Sequence, residues 1–281
     1  MSPLIEKPLA DLHAWTAHFM RTDIPVLPQT LSALTELRKN EESVDVHDLA
    51  AIVMRDPLMT VKLYAHLASR KSARQITDIE TVTGCLVMMG VPPFFRTFRD
   101  LKSVTAYLGD NIAAQKGLLK VIRRATRAAG FAYDWAVRRQ DFDTEVVTIA
   151  ALLHDIAEML LWCFAPKLAL DIRAMLSATP GLRSTVAERE VLKIELNDLE
   201  NALMVRWKLP ELLVKMTDNR QNNHPQVRNV MYAVSLARHT ASGWQDAALP
   251  DDYQMIADLL HLSPEQARRL VDPTFVDTEV I

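Results

Sequence analysis

The sequence predicts an all-α protein of 281 residues. Apolar residues recur at helical spacing along almost the whole chain, and residues typical of helix starts precede many of these segments. No run of alternating β-branched residues bounded by hairpin turns is present, so we expect no sheet. Prolines fall between the periodic segments and divide the chain into about a dozen helices.

Three consecutive segments are expected along the chain. Residues 1–21 form an N-terminal helical extension, residues 22–220 form the main domain, and residues 221–281 form a C-terminal helical extension packed on it. The second boundary is placed at the polar stretch 219–226, where the helical periodicity is interrupted.

Several helix starts are predicted from short motifs. Asp56 followed by Pro57 fits an N-cap and a first helical residue, because the carboxylate accepts from free backbone N–H groups and proline needs no donor there. This helix is expected to run to about residue 69. Capping boxes, in which a Glu or Gln side chain reaches back to the cap residue, predict further starts at Thr77 to Glu80, Thr185 to Glu188 and Ser263 to Gln266.

The segment 144–162 is apolar on nearly every side, which is typical of a helix buried all round. We expect it to be the central helix. His154 and Asp155 lie within it, and a buried neutral polar group without a partner costs roughly 2–7 kcal/mol. The pair must therefore be satisfied by neighbouring groups, as a structural hydrogen-bonded pair or as a residual ion site.

Five cationic residues fall at helical spacing before this segment and form a basic stripe. Its members are Lys116, Lys120, Arg123, Arg124 and Arg127. The opposite face carries Leu118, Leu119, Ile122 and Ala125. The stripe is either a solvated helix face or a surface for a nucleotide, a nucleic acid or an acidic protein. A smaller cluster, Arg96, Arg99 and Lys102, could extend it.

Composition excludes several classes of function. The net charge of −3 gives no global basic field. The seven glycines form neither a dinucleotide-binding nor a Walker-type loop, and no zinc-ligand spacing is present, so no cofactor is expected. Cys85 and Cys163 are expected to be reduced core residues of a cytoplasmic protein. The first residues lack the pattern of a signal peptide and the most apolar stretch is interrupted by charged residues, so we expect neither secretion nor a membrane partner.

The motif at residues 152–157, LLHDIA, resembles the LLHDIG signature of the HD superfamily of metal-dependent phosphohydrolases. Other landmarks resemble those of the HDOD family, the HD-related output domain of bacterial signalling proteins. They are IPVLP at 24–28, RDPLMTVKL at 55–63, ITDIETV at 76–82, Met89-Gly90, and WKLP at 207–210. The resemblance covers about residues 24–220 in the family's order and implies an HD-like helical bundle with an N-terminal lobe.

The resemblance also indicates a degenerate active site. Metal-dependent HD enzymes use an early His, the His-Asp pair and later ligands to hold a divalent ion that acidifies a water. Here the early position falls on Arg124, and a later one falls near Leu196; neither side chain is a suitable metal ligand. Ala157 and Glu158 replace the usual Gly-Lys. His154 and Asp155 alone are too few for a closed metal site.

We therefore expect a non-catalytic regulatory module that binds another signalling protein or an anionic ligand such as a nucleotide. One alternative is a metal-dependent phosphohydrolase acting on a nucleotide or cyclic dinucleotide through His154 and Asp155. Another is a nucleic-acid-binding regulator that uses the basic stripe, which the near-neutral net charge disfavours. His224, His239 and His261 are interpreted as solvated or capping groups.

Overall fold

A computed structural model describes residues 4–70, 80–218 and 223–275. Within these ranges the regular structure is helical, apart from one isolated bridge between Val26 and Ser103. The all-α prediction is confirmed, although the helices are shorter and more numerous than the dozen expected. The chain divides into two compact units, one of residues 1–122 and 155–214 and one of residues 123–154 and 215–281.

The first unit contains most of the helices. Its N-terminal stretch contains α1 Leu12–Arg21, α2 Pro28–Arg38, a 3-10 turn Glu41–Ser43, α3 Val46–Met54, α4 Pro57–Arg70, α5 Val82–Met89, α6 Val91–Thr97 and α7 Val104–Leu108. The next helix, α8, spans Ile112–Arg138, and only its residues up to 122 belong to this unit. The later stretch contains α10 Ile156–Phe164, α11 Pro166–Ala178, α12 Ser184–Leu192, α13 Leu196–Arg206 and the first part of α14, which spans Glu211–Thr217. The second unit contains the rest of α8 together with α9 Thr144–Leu153, α15 Pro225–His239, α16 Leu249–Leu260 and α17 Pro264–Val271.

The N-terminal extension is an integral part of the first unit. Trp15 of α1 is fully buried, and its indole Nε1 donates to the Leu192 carbonyl at 3.2 Å. The backbone N–H of Ile5 donates to the carbonyl of Phe164 at 2.7 Å. Residues of the predicted N-terminal extension therefore contact elements that are distant in the chain.

Asp56 joins two segments of the first unit. Its Oδ1 accepts from the N–H groups of Leu58 at 2.9 Å and Met59 at 3.2 Å, which confirms the predicted N-cap of α4. Its Oδ2 accepts from the Leu27 N–H at 2.7 Å, immediately before α2. Desolvation raises the pKa of this fully buried carboxyl, although the hydrogen bonds it accepts oppose the rise.

The predicted capping boxes have different outcomes. The box at Ser263 is confirmed, since Ser263 and Gln266 exchange side chain to backbone hydrogen bonds of 3.2 and 2.8 Å. The box at Thr185 is wrong, because α12 begins at Ser184 and the Glu188 side chain instead accepts from the Leu196 N–H at 3.0 Å. Thr77 lies outside the described residues, and Thr81 caps α5.

The predicted central helix is two helices, α9 and α10, separated by a turn at His154 and Asp155. By length and composition alone, residues 144–164 are sufficient to span a membrane, with a mean hydropathy of 1.7. However, 89% of their most apolar window is buried inside the protein. Such burial is typical of a core segment of a soluble domain.

Candidate functional site

The HD turn, formed by His154 and Asp155, lies between α9 and α10. Asp155 has φ −106° and ψ 25°, which ends the helical path, and its carbonyl accepts the first hydrogen bond of α10 from the Met159 N–H at 3.1 Å. The two side chains are 8% and 9% exposed, so the pair is buried, as expected from the apolar sequence around it. The Asp155 side chain does not cap α10.

The side chains of the described residues do not fit a divalent metal centre. Arg124 is half-buried on α8, and its guanidinium has no lone pair for a metal ion. Leu196 is the first residue of α13, where its backbone N–H is held by Glu188. In residues 4–70, 80–218 and 223–275, no group of three or more His, Cys, Asp or Glu side chains is arranged to hold a metal ion.

The residues that follow the HD turn have a structural role in the first unit. Glu158 Oε1 accepts from the Trp162 indole Nε1 at 3.4 Å, and the Arg173 guanidinium lies 5.3 Å from the Trp162 ring centroid. Gly117 of α8 faces the same ring so closely that a Cβ there would overlap it. Glu158, which replaces the Lys of the family's Gly-Lys pattern, thus orients Trp162, and Trp162 packs on α8.

The basic stripe is only partly a free surface. Lys116, Lys120 and Arg123 are exposed on α8, whereas Arg124 and Arg127 are half-buried. The smaller cluster, Arg96, Arg99 and Lys102, is also exposed, with Arg99 Nε 3.6 Å from the neighbouring Asp100 carboxylate. On the opposite face, Leu118, Ile122 and Ala125 are buried as predicted, but Leu119 is 40% exposed.

Arg127 is engaged inside the second unit. Its Nη1 donates to the Thr240 carbonyl at 3.0 Å, and its guanidinium lies 4.9 Å from the Trp244 ring centroid and 5.5 Å from that of Phe131. Desolvation lowers the pKa of this guanidinium. Arg127 therefore holds the loop after α15 and is not available as part of an exposed anion-binding stripe.

A His-Asp pair in the second unit was not predicted. His239 Nδ1 lies 2.6 Å from Oδ2 of Asp252, which is 1% exposed and whose Oδ1 accepts from the Ser235 hydroxyl at 3.0 Å. His239 also borders a surface cleft of about 650 Å³ with Trp244 and Thr274. The interpretation of His239 as a solvated or capping group was wrong; His224 does cap α15, accepting from the Gln226 N–H at 3.4 Å.

Comparison with solved structures identifies proteins with the same fold. The MmoQ response regulator from Methylococcus capsulatus is 17% identical, with a TM-score of 0.63 over 90% of this chain and 99% of the other. A virulence factor from Campylobacter jejuni is also 17% identical, with a TM-score of 0.61 over 93% and 97% of the two chains. An HDOD domain protein of unknown function from Geobacter sulfurreducens is 16% identical, with a TM-score of 0.50 over 93% of each chain.

Among curated proteins, none matches the chain by sequence. The HDOD domain profile, however, matches residues 24–223, which is most of the chain. This range contains the landmarks from IPVLP to WKLP and agrees with the limits of about 24 and 220 expected from those motifs. The chain therefore belongs to the HDOD domain family.

Proposed function

We propose that this HDOD protein is a non-catalytic regulatory module of a signalling system. The observation that carries the proposal is the donor set at the HD turn. His154 and Asp155 are kept and buried, but Arg124 stands at the position of the early ligand, and no cluster of three ligands exists among the described residues. A hydrolytic metal needs several converging ligands and an open position for water.

The module binds an acidic partner protein through the exposed cations of α8. Lys116, Lys120 and Arg123 occupy successive turns of one helix, and all three are exposed. A cluster of like charges of this kind attracts anionic surfaces locally even when the net charge is near zero. The name of the MmoQ response regulator describes a signalling protein of the same fold, which is consistent with this role.

The protein acts in the cytoplasm. Support comes from its two cysteines, Cys85 and Cys163, which are both buried and in the thiol form, not in a disulfide. Burial raises the pKa of the Cys163 thiol well above its ordinary value, so that the thiol stays protonated and unreactive. Two core cysteines in the thiol form are the normal state of a protein in a reducing compartment.

Reversal of the three exposed charges tests the binding surface. We expect Lys116→Glu, Lys120→Glu and Arg123→Glu together to weaken binding of a fluorescent polyglutamate peptide by about tenfold, since three exposed ion pairs of ~0.2–1 kcal/mol each sum to ~0.6–3 kcal/mol and 1.4 kcal/mol corresponds to tenfold. Fluorescence anisotropy at several salt concentrations measures the change, and wild-type binding should itself weaken as salt rises.

The control carries the same change of net charge on exposed cations outside α8, all of them in the first unit. It combines Lys167→Glu, Arg183→Glu and Arg206→Glu. The control should bind the peptide with nearly wild-type affinity. Equal weakening of both variants would refute a local site on α8. Duplex DNA binding more tightly than the peptide, with loss in the α8 variant, would instead favour the nucleic-acid alternative.

A further inference from the structure

The surface cleft beside His239 has a volume of about 650 Å³ and polar and aromatic walls. The walls come from the end of α15, from the loop that follows it, and from Thr274 beyond α17. All these residues belong to the second unit. The volume lies within the range of pockets that hold small molecules, ~300–1,000 Å³. The side chains on the walls therefore determine which class of small molecule the cleft accepts.

His239 is oriented by a buried carboxylate. Its Nδ1 lies 2.6 Å from Oδ2 of Asp252, which is 1% exposed, and Oδ1 of Asp252 accepts from the Ser235 hydroxyl at 3.0 Å. Because a carboxylate only accepts, Nδ1 carries the proton and Nε2 of the neutral ring is an acceptor. Nε2 has no hydrogen-bond partner among the described residues, and the ring borders the cleft. A ligand in the cleft can therefore donate to a histidine whose tautomer is fixed.

Trp244 provides an aromatic wall. The Arg127 guanidinium lies 4.9 Å from its ring centroid and donates to the Thr240 carbonyl at 3.0 Å, so the indole is held from one side. Gly243 precedes it with φ +134°, a conformation that residues with a Cβ rarely adopt. Trp244 is only half-buried and lines the cleft, so part of its ring faces the open volume. A fixed and partly open indole is a stacking platform for a planar ring.

The other polar groups narrow the class of ligand. Ser242 and Gln245 are exposed at the cleft, and neither side chain has a hydrogen-bond partner in the part of the chain that the structure describes. A glutamine amide offers a donor and an acceptor side by side, which matches the edge of a purine base. Among the described residues no Lys or Arg lines the cleft, and Asp246 places a carboxylate on its wall. The walls therefore favour an uncharged base over a phosphate group.

We propose that this cleft binds a purine nucleoside. The base stacks on Trp244, and an N–H group of the base donates to Nε2 of His239. Asp252 is a positioning residue, because it acts through the histidine that it holds. The site includes none of the exposed cations of α8, so this proposal and the binding surface proposed on α8 can fail independently. Adenosine is the probe, since its exocyclic amine supplies the N–H donor.

Titration of adenosine into ¹⁵N-labelled protein tests the site, because the indole N–H of each of the five tryptophans gives its own NMR signal. We expect the Trp244 signal, identified by its absence in Trp244→Phe, to shift with a dissociation constant below about 1 mM. By calorimetry, Trp244→Leu should weaken binding by about tenfold or more, since stacking is lost. Tyr133→Leu removes a half-exposed ring of the same unit outside the cleft and should leave the affinity unchanged.

The role of the histidine is tested through its Nε2 atom. His239→Asn keeps an N–H donor for Asp252 near the position of Nδ1 but lacks Nε2, and it should weaken adenosine binding by about fivefold. N6,N6-dimethyladenosine has no amine donor, so it should bind the wild type about fivefold more weakly than adenosine does, but bind His239→Asn as well as adenosine does. His47→Asn is the control, because His47 pairs with Asp45 at 2.9 Å on an exposed surface outside the cleft.

AMP and a single-stranded oligodeoxyadenylate distinguish a free nucleoside from a nucleotide or a nucleic acid as the source of the base. Neither should bind more tightly than adenosine, because Asp246 repels phosphate. Binding of either one about tenfold more tightly would refute an uncharged ligand. A Trp244 signal that stays unchanged up to about 5 mM adenosine would overturn the proposal. An equal loss of affinity for both nucleosides in His239→Asn would overturn the assigned hydrogen bond and leave the histidine with a structural role only.

Discussion

Replacing Asp56 with alanine is expected to lower the free energy of unfolding by about 4 kcal/mol, because two buried backbone N–H groups and one partly buried N–H group then lose their acceptor. The donors are those of Leu27, Leu58 and Met59, at 2.7, 2.9 and 3.2 Å. Asp56 is fully buried, so water does not replace the carboxylate. Urea unfolding followed by circular dichroism measures the loss.

Asp45→Ala is the control, since Asp45 caps α3 from an exposed position, where its Oδ1 accepts from the His47 N–H at 2.7 Å and lies 2.9 Å from His47 Nδ1. That change should cost only ~1 kcal/mol. If both substitutions had the same small effect, Asp56 would be an ordinary helix cap and not the link between the segments that begin α2 and α4.

The pH dependence of the same site gives a second readout. Because burial raises the pKa of Asp56, the folded protein holds this proton more tightly than the unfolded chain does. The stability that protonation of Asp56 adds is complete below 3.8, the pKa of this carboxyl in the unfolded chain. It is lost as pH rises toward the higher pKa of Asp56 in the folded protein. Asp56→Asn lacks this titration, so the stability advantage of the wild type over Asp56→Asn should shrink as pH rises through that window.

Gly117→Ala is the second substitution with a large expected effect. The new methyl group would overlap the Trp162 ring, whose Cε3 atom lies only 2.6 Å from the position of such a Cβ. Trp162 is 4% exposed and is also held by Glu158 and Arg173, so it cannot move away freely. We expect thermal unfolding to show a net loss of about 2 kcal/mol, despite the better helix propensity of alanine.

Gly130→Ala in the same helix provides the opposite case. Nothing lies within 4 Å of a Cβ at this position, so the gain in helix propensity should stabilise the folded chain by ~0.5–1 kcal/mol.

Adding Trp162→Leu to Gly117→Ala should recover part of the loss that Gly117→Ala causes alone. Two glycine variants with the same sign of effect would contradict the close packing of α8 on the tryptophan.

The elements that could be predicted from the sequence are those determined by local chemistry. The N-caps at Asp56 and Ser263 depend on side chains that reach backbone groups two or three residues away, and short motifs report such contacts directly. The burial of the segment around the HD turn follows from its apolar composition. Two of the HDOD landmarks also contain such local contacts: RDPLMTVKL at 55–63 contains the Asp56 cap, and Met89-Gly90 forms the end of α5.

The failures involve partners that are distant in the chain. Glu188 fits a local capping box, but its carboxylate accepts from Leu196 in the next helix. Arg127 fits the basic stripe by spacing, yet it binds the carbonyl of Thr240, which is 113 residues away. Helical periodicity reports the face of a helix on which a residue lies and not which distant element covers that face.

Helical periodicity could not predict the break between α9 and α10 either. Both helices are apolar on nearly all sides, so neither shows a change of face where the turn occurs. The division into compact units has no local signal in the sequence, for a related reason. Each unit combines discontinuous parts of the chain, and α8 belongs to both, so no polar linker marks where one unit ends.

Metal content tests the central claim most directly. The measurement is elemental mass spectrometry of protein purified without chelator and then dialysed against Mn²⁺, Fe²⁺, Ni²⁺ or Zn²⁺, for the wild type and for His154→Gln, Asp155→Asn. The second protein keeps the size of both buried side chains, and its circular dichroism and melting temperature establish that it folds. We predict that both proteins retain equal, substoichiometric metal. Near-stoichiometric metal in the wild type that is lost in the variant would contradict the non-catalytic assignment and would restore the phosphohydrolase alternative.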